Sequence, residues 1–572
     1  MRRLRGLAIG LVAGLAVLPT FAFAGGQTTH GRFHMVVPGA PLSAHRTSRQ
    51  TPARLDAPTV EPPVQDPVLP VPDPVIADHP PYHAYDTVLN VTGGQLAGDR
   101  LPDQSYVFRA VPFAAPPVGP LRWRAPQSPA PWSGVRHETD SAPACLQNDY
   151  GWQTDMAAKS SEDCLYLDIR TPDLHPSAPL PVMVYIHGGA NRAGGGAGTV
   201  MAGFADKGVI IVSLQYRLGV FGFLSHPALS REQDGHSGNY ALMDQIKALQ
   251  WVRDNIAAFG GDPANVTIFG QSAGAQDVGL LLVAPDARGL FARAIEESGP
   301  PQFGLPVRTL AQNEAMGVDL AKFYTSAAPD SDAALAALRA VPAHQLQTAA
   351  DQLPVAIDDD SFIWLQAVID GKVLTRPPAD VLRQHQAAQV PLIIGTVAQE
   401  LGLHGGQDAV YSTIVREFGK HAPKMMKFYD VKLKKLPKDD PLLGPVSMAL
   451  STDLMMRCPS TWVADRMTEA GQPVWEYQLD IDIGSGHGEG PPHHSSDLAF
   501  VMNPQPPGMD DAHWPPLLDY WTQFAKTGEP AGEGLAAWPD HGRAGRYLEF
   551  THKGPKVRQD MRKDVCRYRD TP

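Results

Sequence analysis

The stretch that most restricts how this chain can fold is Gly270-Gln271-Ser272-Ala273-Gly274. A β-branched and aromatic run, Val266-Thr267-Ile268-Phe269, leads into it. An apolar-periodic stretch with Val278, Leu281 and Leu282 leaves it and is bounded by Pro285. The pattern reads as strand, tight turn and helix. Small flanking residues let the backbone reverse sharply, so the Ser272 hydroxyl projects from the C-terminal end of a strand. The next N–H groups open a helix, where they stabilise negative charge. A serine in a Gly-rich turn with no chemical role is the plain alternative. What separates the two is whether the rest of the chain supplies a base, an acid and further N–H donors.

The length, 572 residues, accommodates several small domains or one large α/β domain with insertions. Net charge is −12, and −15 without the three leader arginines. An acidic surface of this kind repels nucleic acid and anionic membranes, so neither is expected as a partner. Arg2, Arg3 and Arg5 precede an apolar run from Leu7 to Leu18, followed by Ala22-Phe23-Ala24. Residues 1–24 therefore read as a signal peptide cleaved near Ala24, which predicts an exported chain, periplasmic or secreted. No later segment is long and apolar enough to suggest a membrane span after leader removal. Residues 25–85 differ from the rest: ten prolines fall between Pro52 and Pro81. This composition favours extended polyproline-like backbone, and the segment reads as a linker or a strip draped on the surface. Residues 86–572 read as a single catalytic domain. Cys145, Cys164, Cys458 and Cys566 are an even set in an exported chain and suggest two disulfides. Four cysteines allow three pairings, and spacing alone does not choose among them.

Within the globular part, Val182 to Ile186 and Val209 to Leu214 are continuous apolar runs, as in strands buried on both faces. Thr87 to Val91, Tyr106 to Ala110, Leu392 to Ile394 and Val474 to Leu479 read as further strands. Between Asp244 and Ala258, Ile246, Leu249, Val252 and Ile256 share one helical face, and Gly260-Gly261 can cap that helix. Strands alternating with helices predict a large, mostly parallel sheet covered on both faces. Residues 305–385, rich in Ala, Leu and Gln, read as helical and suit a cap over a site.

His187-Gly188-Gly189-Ala190 directly follows the strand ending at Ile186. Gly-rich backbone after a central strand can point successive N–H groups into a site, as in the oxyanion-hole motif His-Gly-Gly-Gly. Ala190 replaces the third glycine, and its methyl restricts the backbone angles that would aim its N–H. Without it, Gly189 and Ala273 remain as donors.

The chain resembles the type-B carboxylesterases, the family of carboxylesterases, cholinesterases and some fungal lipases. The similarity runs from about residue 86 to 570. Phe108 to Pro117 with Leu121-Arg122-Trp123 resembles the family's N-terminal block. Ser161-Glu162-Asp163-Cys164-Leu165-Tyr166-Leu167 is one of its most specific signatures, and Gln215-Tyr216-Arg217-Leu218-Gly219 is similar to another. Tyr520-Trp521, then Phe524 to Gly528 and Trp538-Pro539, resemble the C-terminal block.

The resemblance implies an α/β-hydrolase fold with helical insertions over the site and a triad in the order Ser, Glu, His. It places the nucleophile at Ser272, the acid at Glu400 beyond the strand at Leu392 to Ile394, and the base at His494. Leu401 stands where the family has a glycine. The base is read from His493-His494-Ser495-Ser496-Asp497-Leu498, similar to the family's His-Gly-x-Glu-Leu block, with His493 as second choice. It also implies the pairings Cys145–Cys164 and Cys458–Cys566, and the ion pairs Arg122–Glu162 and Arg217–Asp244. A metal site from His487, His493 and His494 lacks supporting carboxylate or cysteine spacing, so neither metal nor organic cofactor is expected. The implied activity is carboxylic-ester hydrolysis through an acyl-enzyme, with a small-molecule ester as partner. Amidase or transacylase chemistry on the same triad is the alternative, and a non-catalytic adhesion role a further one. Gln271, beside the nucleophile where the family commonly has glutamate, favours uncharged or anionic esters over choline esters. No obvious Trp platform stands before Cys164, although Trp152 is nearby. Oligomeric state is not readable.

Overall fold

The computed structural model describes residues 87–353, 364–432, 435–481 and 491–568. The leader at 1–24, the Pro-rich segment at 25–85 and His487 lie outside the described residues.

Long β-branched runs need a sheet that buries both faces. Eleven strands supply it. They are β1 (Asp99–Arg100), β2 (Tyr106–Pro112), β3 (Tyr166–Thr171), β4 (Leu180–Ile186), β5 (Ile210–Leu214) and β6 (Gly261–Gln271), then β7 (Arg293–Glu297), β8 (Leu392–Val397), β9 (Val474–Leu479), β10 (Arg546–Thr551) and β11 (Gly554–Gln559). The spatial order is β11-β10-β9-β8-β7-β6-β4-β5-β3-β2-β1. The seven strands from β5 to β10 run parallel, and antiparallel pairs close both edges. The sheet is thus mixed, with a parallel centre. Strand order reverses around β4, which has β5 on one side and β6 on the other. In open α/β sheets the crevice beyond the strand C-termini at such a reversal is where ligands bind.

The alternation of side chains along β4 sorts the core into two layers. Val182, Val184 and Ile186 join a cluster with Leu249 and Val252 of α1 (Tyr240–Asn255) and Leu280 of α2 (Ala273–Val283). Met183 and Tyr185 face the other way, onto Trp521 and Phe524 of α3 (Leu517–Thr527). Each fully buried side chain of this size stabilises the fold by roughly 1.5–3 kcal/mol. Gly260, at φ +83, ends the stretch after α1 in the left-handed conformation that glycine tolerates.

The helical reading of 305–385 holds for Leu310–Ala321, Asp332–Ala340, Ala343–Ala350 and Pro378–Arg383. A two-stranded parallel ladder at Arg308–Thr309 and Val368–Ile369 is added. All four of these helices pack into the main core. Phe303 and Leu365 instead join a third cluster with Val410, Ile414 and Phe418, and this cluster touches the elbow at Ala273.

Cys145–Cys164 and Cys458–Cys566 are the disulfides. Arg122 forks onto Glu162 at 2.8 and 2.6 Å, and Arg217 onto the buried Asp244 at 2.7 Å twice. No helix among the described residues is long and apolar enough to cross a membrane.

Candidate active site

The parallel strands β4, β6 and β8 end at the same edge of the sheet, and the loop after each carries one part of the site. After β6, Ser272 has φ 58° and ψ −128°, a conformation that costs a non-glycine residue of order 1–3 kcal/mol. The neighbours are small because nothing larger fits. A Cβ on Gly274 would lie 2.0 Å from the Ile186 carbonyl oxygen, and one on Gly270 2.6 Å from the Gly274 carbonyl carbon. Ser272 N–H donates to Glu297 O at 2.8 Å, which fastens the turn to β7. The hydroxyl therefore stands at the N-terminus of α2, and the Ala273 N–H belongs to the first helical turn, which has no intrahelical acceptor.

The loop after β4 lies against this turn. A Cβ on Gly188 would meet Gln271 O at 2.6 Å. Gly189 (φ +115°) and Ala190 (φ 56°) both occupy left-handed backbone, so the alanine adopts the conformation its methyl disfavours. The loop is braced on several sides. Tyr216 OH donates to His187 O at 2.7 Å, and Gly219 N–H to Asn191 O at 2.7 Å. Asn191 Nδ2 donates to Asp277 Oδ1 of α2 at 3.1 Å, and the Gln147 amide bridges both backbone groups of Gly194. Burial pushes His187 down to about 4, so its imidazole is neutral; it stacks on Tyr216 at 4.3 Å. Fixed N–H groups aimed into a site cost no reorganisation when charge develops there.

Glu400 follows β8 and is buried. Its Oε1 accepts from Val397 N–H at 2.9 Å, and its own N–H donates to Thr452 Oγ1 at 3.1 Å. Its Oε2 lies 2.5 Å from His494 Nδ1, and His494 Nε2 lies 2.8 Å from Ser272 Oγ. The second-choice histidine, His493, is exposed, with Nδ1 3.2 Å from His494 O. Ser495, in place of the usual glycine, has φ 76°. Gln271 Nε2 sits 3.5 Å from His494 Nε2.

Two further acids lie beneath this line: Asp497, which the sequence shows only as part of the His494 motif, and Glu297, which it does not single out. Asp497 accepts from Tyr477 OH at 2.9 Å, and Glu297 from Trp521 Nε1 at 2.7 Å. Burial first, then the Glu400 charge, pushes Asp497 up to about 6; burial and the Asp497 charge hold Glu297 well above the usual carboxylate range. No local signal marks Glu297, because its strand reads Arg-Ala-Ile-Glu-Glu and does not look like a buried strand.

A cavity of about 290 Å³ opens over Ser272. Trp152, Arg192, Phe303, Leu365, Leu401 and Leu498 are among its walls. Trp152, which the sequence placed only nearby, is thus a wall residue. No group of three or more His, Cys, Asp or Glu suited to a metal ion occurs among the described residues.

A parallel sheet with a serine on a strained strand–helix turn, a glycine loop beside it, and a carboxylate and a histidine delivered by later loops is the α/β-hydrolase fold. The pattern of the carboxylesterase family matches residues 85–569, and the chain belongs to that family. Among its relatives, fumonisin B1 esterase of Sphingopyxis macrogoltabida is 32% identical over 468 residues, covering 77% of this chain and 83% of the relative. Para-nitrobenzyl esterase of Bacillus subtilis is 34% identical over 462 residues, covering 76% and 88%. A solved carboxylesterase of Geobacillus stearothermophilus superposes with a TM-score of 0.70 at 30% identity, over 84% of this chain and all of the other.

Proposed function

We propose that the protein hydrolyses small or medium carboxylic esters, uncharged or anionic, through an acyl-enzyme formed on Ser272. The observation that carries this reading is the unbroken line from Glu400 Oε2 through His494 to Ser272 Oγ, with links of 2.5 and 2.8 Å. Hydrogen-bond reach between nucleophile, base and orienting acid is what acyl transfer requires.

Ser272 Oγ attacks the ester carbonyl carbon while His494 Nε2 takes its proton. Glu400 accepts from His494 Nδ1–H, fixes the ring and stabilises the imidazolium. The carbonyl oxygen becomes an oxyanion facing the N–H groups of Gly189, Ala190 and Ala273. His494 then returns the proton to the departing alcohol. Water repeats the sequence on the acyl-enzyme, releasing the acid and restoring Ser272. Neither metal nor organic cofactor enters these steps. The esterase names of the relatives support the reaction, and the neutral Gln271 at the serine supports the exclusion of quaternary ammonium esters. The two disulfides support an oxidising destination for the chain, with residues 1–24 as its leader.

The test is a hydrolysis panel of p-nitrophenyl, choline and naphthyl esters on wild type and Ser272→Ala. Turnover of neutral esters that disappears in Ser272→Ala is expected. A strong preference for choline esters contradicts the substrate class, and full activity in Ser272→Ala contradicts the mechanism.

A further inference from the structure

Seven of the chain's sixteen lysines lie in one stretch, from Lys420 to Lys438, which holds a single acid, Asp430. The net charge of −12 is therefore an average over this basic strip and a remainder that is more acidic still. The fold keeps the strip at the surface. Lys420, Lys424, Lys427, Lys432, Lys435 and Lys438 are all exposed. Lys424 and Lys427 stand on the helix Ala422–Phe428, whose Ala422 and Met425 are buried. Lys432 and Lys435 face each other across an antiparallel bridge and exchange both backbone hydrogen bonds at 2.9 Å. Like charges set directly opposite in this way are destabilising. Among the described residues one carboxylate pairs with the strip, Asp430 at 3.5 Å from Lys432 Nζ. Asp440, just beyond it, accepts from the N–H groups of Leu442 and Leu443 at 2.8 and 2.9 Å.

Apolar side chains stand exposed beside these lysines. Tyr411 and Val415 lie one turn apart on the helix Val410–Phe418, and Phe428 ends the helix that carries Lys424 and Lys427. The inner faces of both helices, with Ile414, Phe418 and Met425, belong to the cluster of Phe303 and Leu365, which wall the cavity over Ser272. The exposed face is thus backed by packed core. A soluble polyanion engages lysines alone. A bilayer interface engages both kinds of side chain: anionic headgroups meet the ammonium groups, and Tyr411, Val415 and Phe428 enter the boundary between headgroups and acyl chains. At physiological salt, repulsion from the acidic remainder fades within about 8 Å, so the strip dominates at a surface that it touches.

We propose that this face docks the protein on a bilayer of anionic phospholipid, through its lysines and the exposed apolar side chains among them. The test is flotation of the full chain with vesicles of phosphatidylcholine and phosphatidylglycerol in equal parts. Partition is measured for wild type, for a variant with Lys420→Gln, Lys427→Gln, Lys432→Gln and Lys435→Gln, and for a variant with Tyr411→Ser and Val415→Ser. Residues 1–85 are the same in all three, so the comparison reads this face.

Each lysine at an anionic surface is worth about fivefold in partition. The four-lysine variant therefore falls more than about tenfold below wild type, and a smaller fall overturns the proposal. Loss of the two apolar side chains lowers partition more than about threefold; a smaller change assigns the strip to a soluble polyanion and overturns bilayer docking. Unfolding midpoints equal to that of wild type show that the variants are folded. If the four-lysine variant does not fold, Lys420→Gln with Lys427→Gln decides: a fall of more than about fivefold is expected, and a smaller one overturns the proposal.

Discussion

Asp277 connects the elbow helix to the loop that carries the proposed oxyanion donors, and its ionisation sets a measurable cost. The carboxyl is fully buried; Oδ1 accepts from Asn191 Nδ2 at 3.1 Å and Oδ2 from Gln245 Nε2 at 2.6 Å. Burial pushes it from 3.8 up to about 7, against the lowering effect of these donors. A folded-state value raised above the unfolded one means that the favourable contribution is complete below pH 3.8. It is lost as pH rises through 7 and stays constant beyond. Relative to acid, the loss is about 2 kcal/mol at pH 5 and about 4 kcal/mol at pH 8. Asp277→Asn removes the ionisation. Among the described residues the Gln245 Oε1 atom has no partner, so turning that amide gives the new N–H an acceptor. The variant therefore gains about 2–3 kcal/mol on wild type between pH 5 and pH 8. Urea unfolding at both pH values, followed by tryptophan fluorescence, reads the difference. Other buried groups such as Glu296 and His541 titrate in both proteins and cancel in the comparison. An advantage of Asp277→Asn that is equal at the two pH values, or larger at pH 5, refutes the reasoning.

Gly189→Ala forces the oxyanion loop to move, since a Cβ there would lie 2.1 Å from Ala193 O at φ +115°. Moving its N–H off the oxyanion lowers kcat by about 10²–10³ with little change in KM, read by steady-state kinetics on one neutral ester. The two disulfides differ in the loop they close, with sequence separations of 19 and 108. Loop entropy predicts that Cys458→Ser with Cys566→Ser costs about 5 kcal/mol and Cys145→Ser with Cys164→Ser about 3 kcal/mol, checked by urea midpoints; the reverse ranking contradicts it.

Strands whose residues are apolar on both faces declared themselves: β4, β5 and β9 lie within two residues of their expected ends. Two of the central strands that stayed hidden bury charge. β7 reads Arg-Ala-Ile-Glu-Glu, and Glu296 and Glu297 are both fully buried in the sheet. β3 carries Asp168 and Arg170, which are also buried; Asp168 accepts from Ala110 N–H at 2.9 Å and Arg170 donates to Ser105 Oγ at 3.0 Å. Tertiary partners make these residues tolerable, and no local pattern announces such partners. The same limit applies at the site. Ser272, Glu400 and His494 were legible because each stands in a motif with its own chain context. Asp277 and Glu297 were not, because each depends on a contact between segments distant in sequence.

Every step of the proposed reaction depends on Ser272 being an activated nucleophile. A fluorophosphonate probe, followed by intact-mass measurement and peptide mapping of the folded protein, tests that claim. One adduct per chain is predicted, on the peptide containing Ser272, absent in Ser272→Ala and formed far more slowly in His494→Ala. Folded protein that takes up no adduct, or takes it up on another residue, contradicts the account.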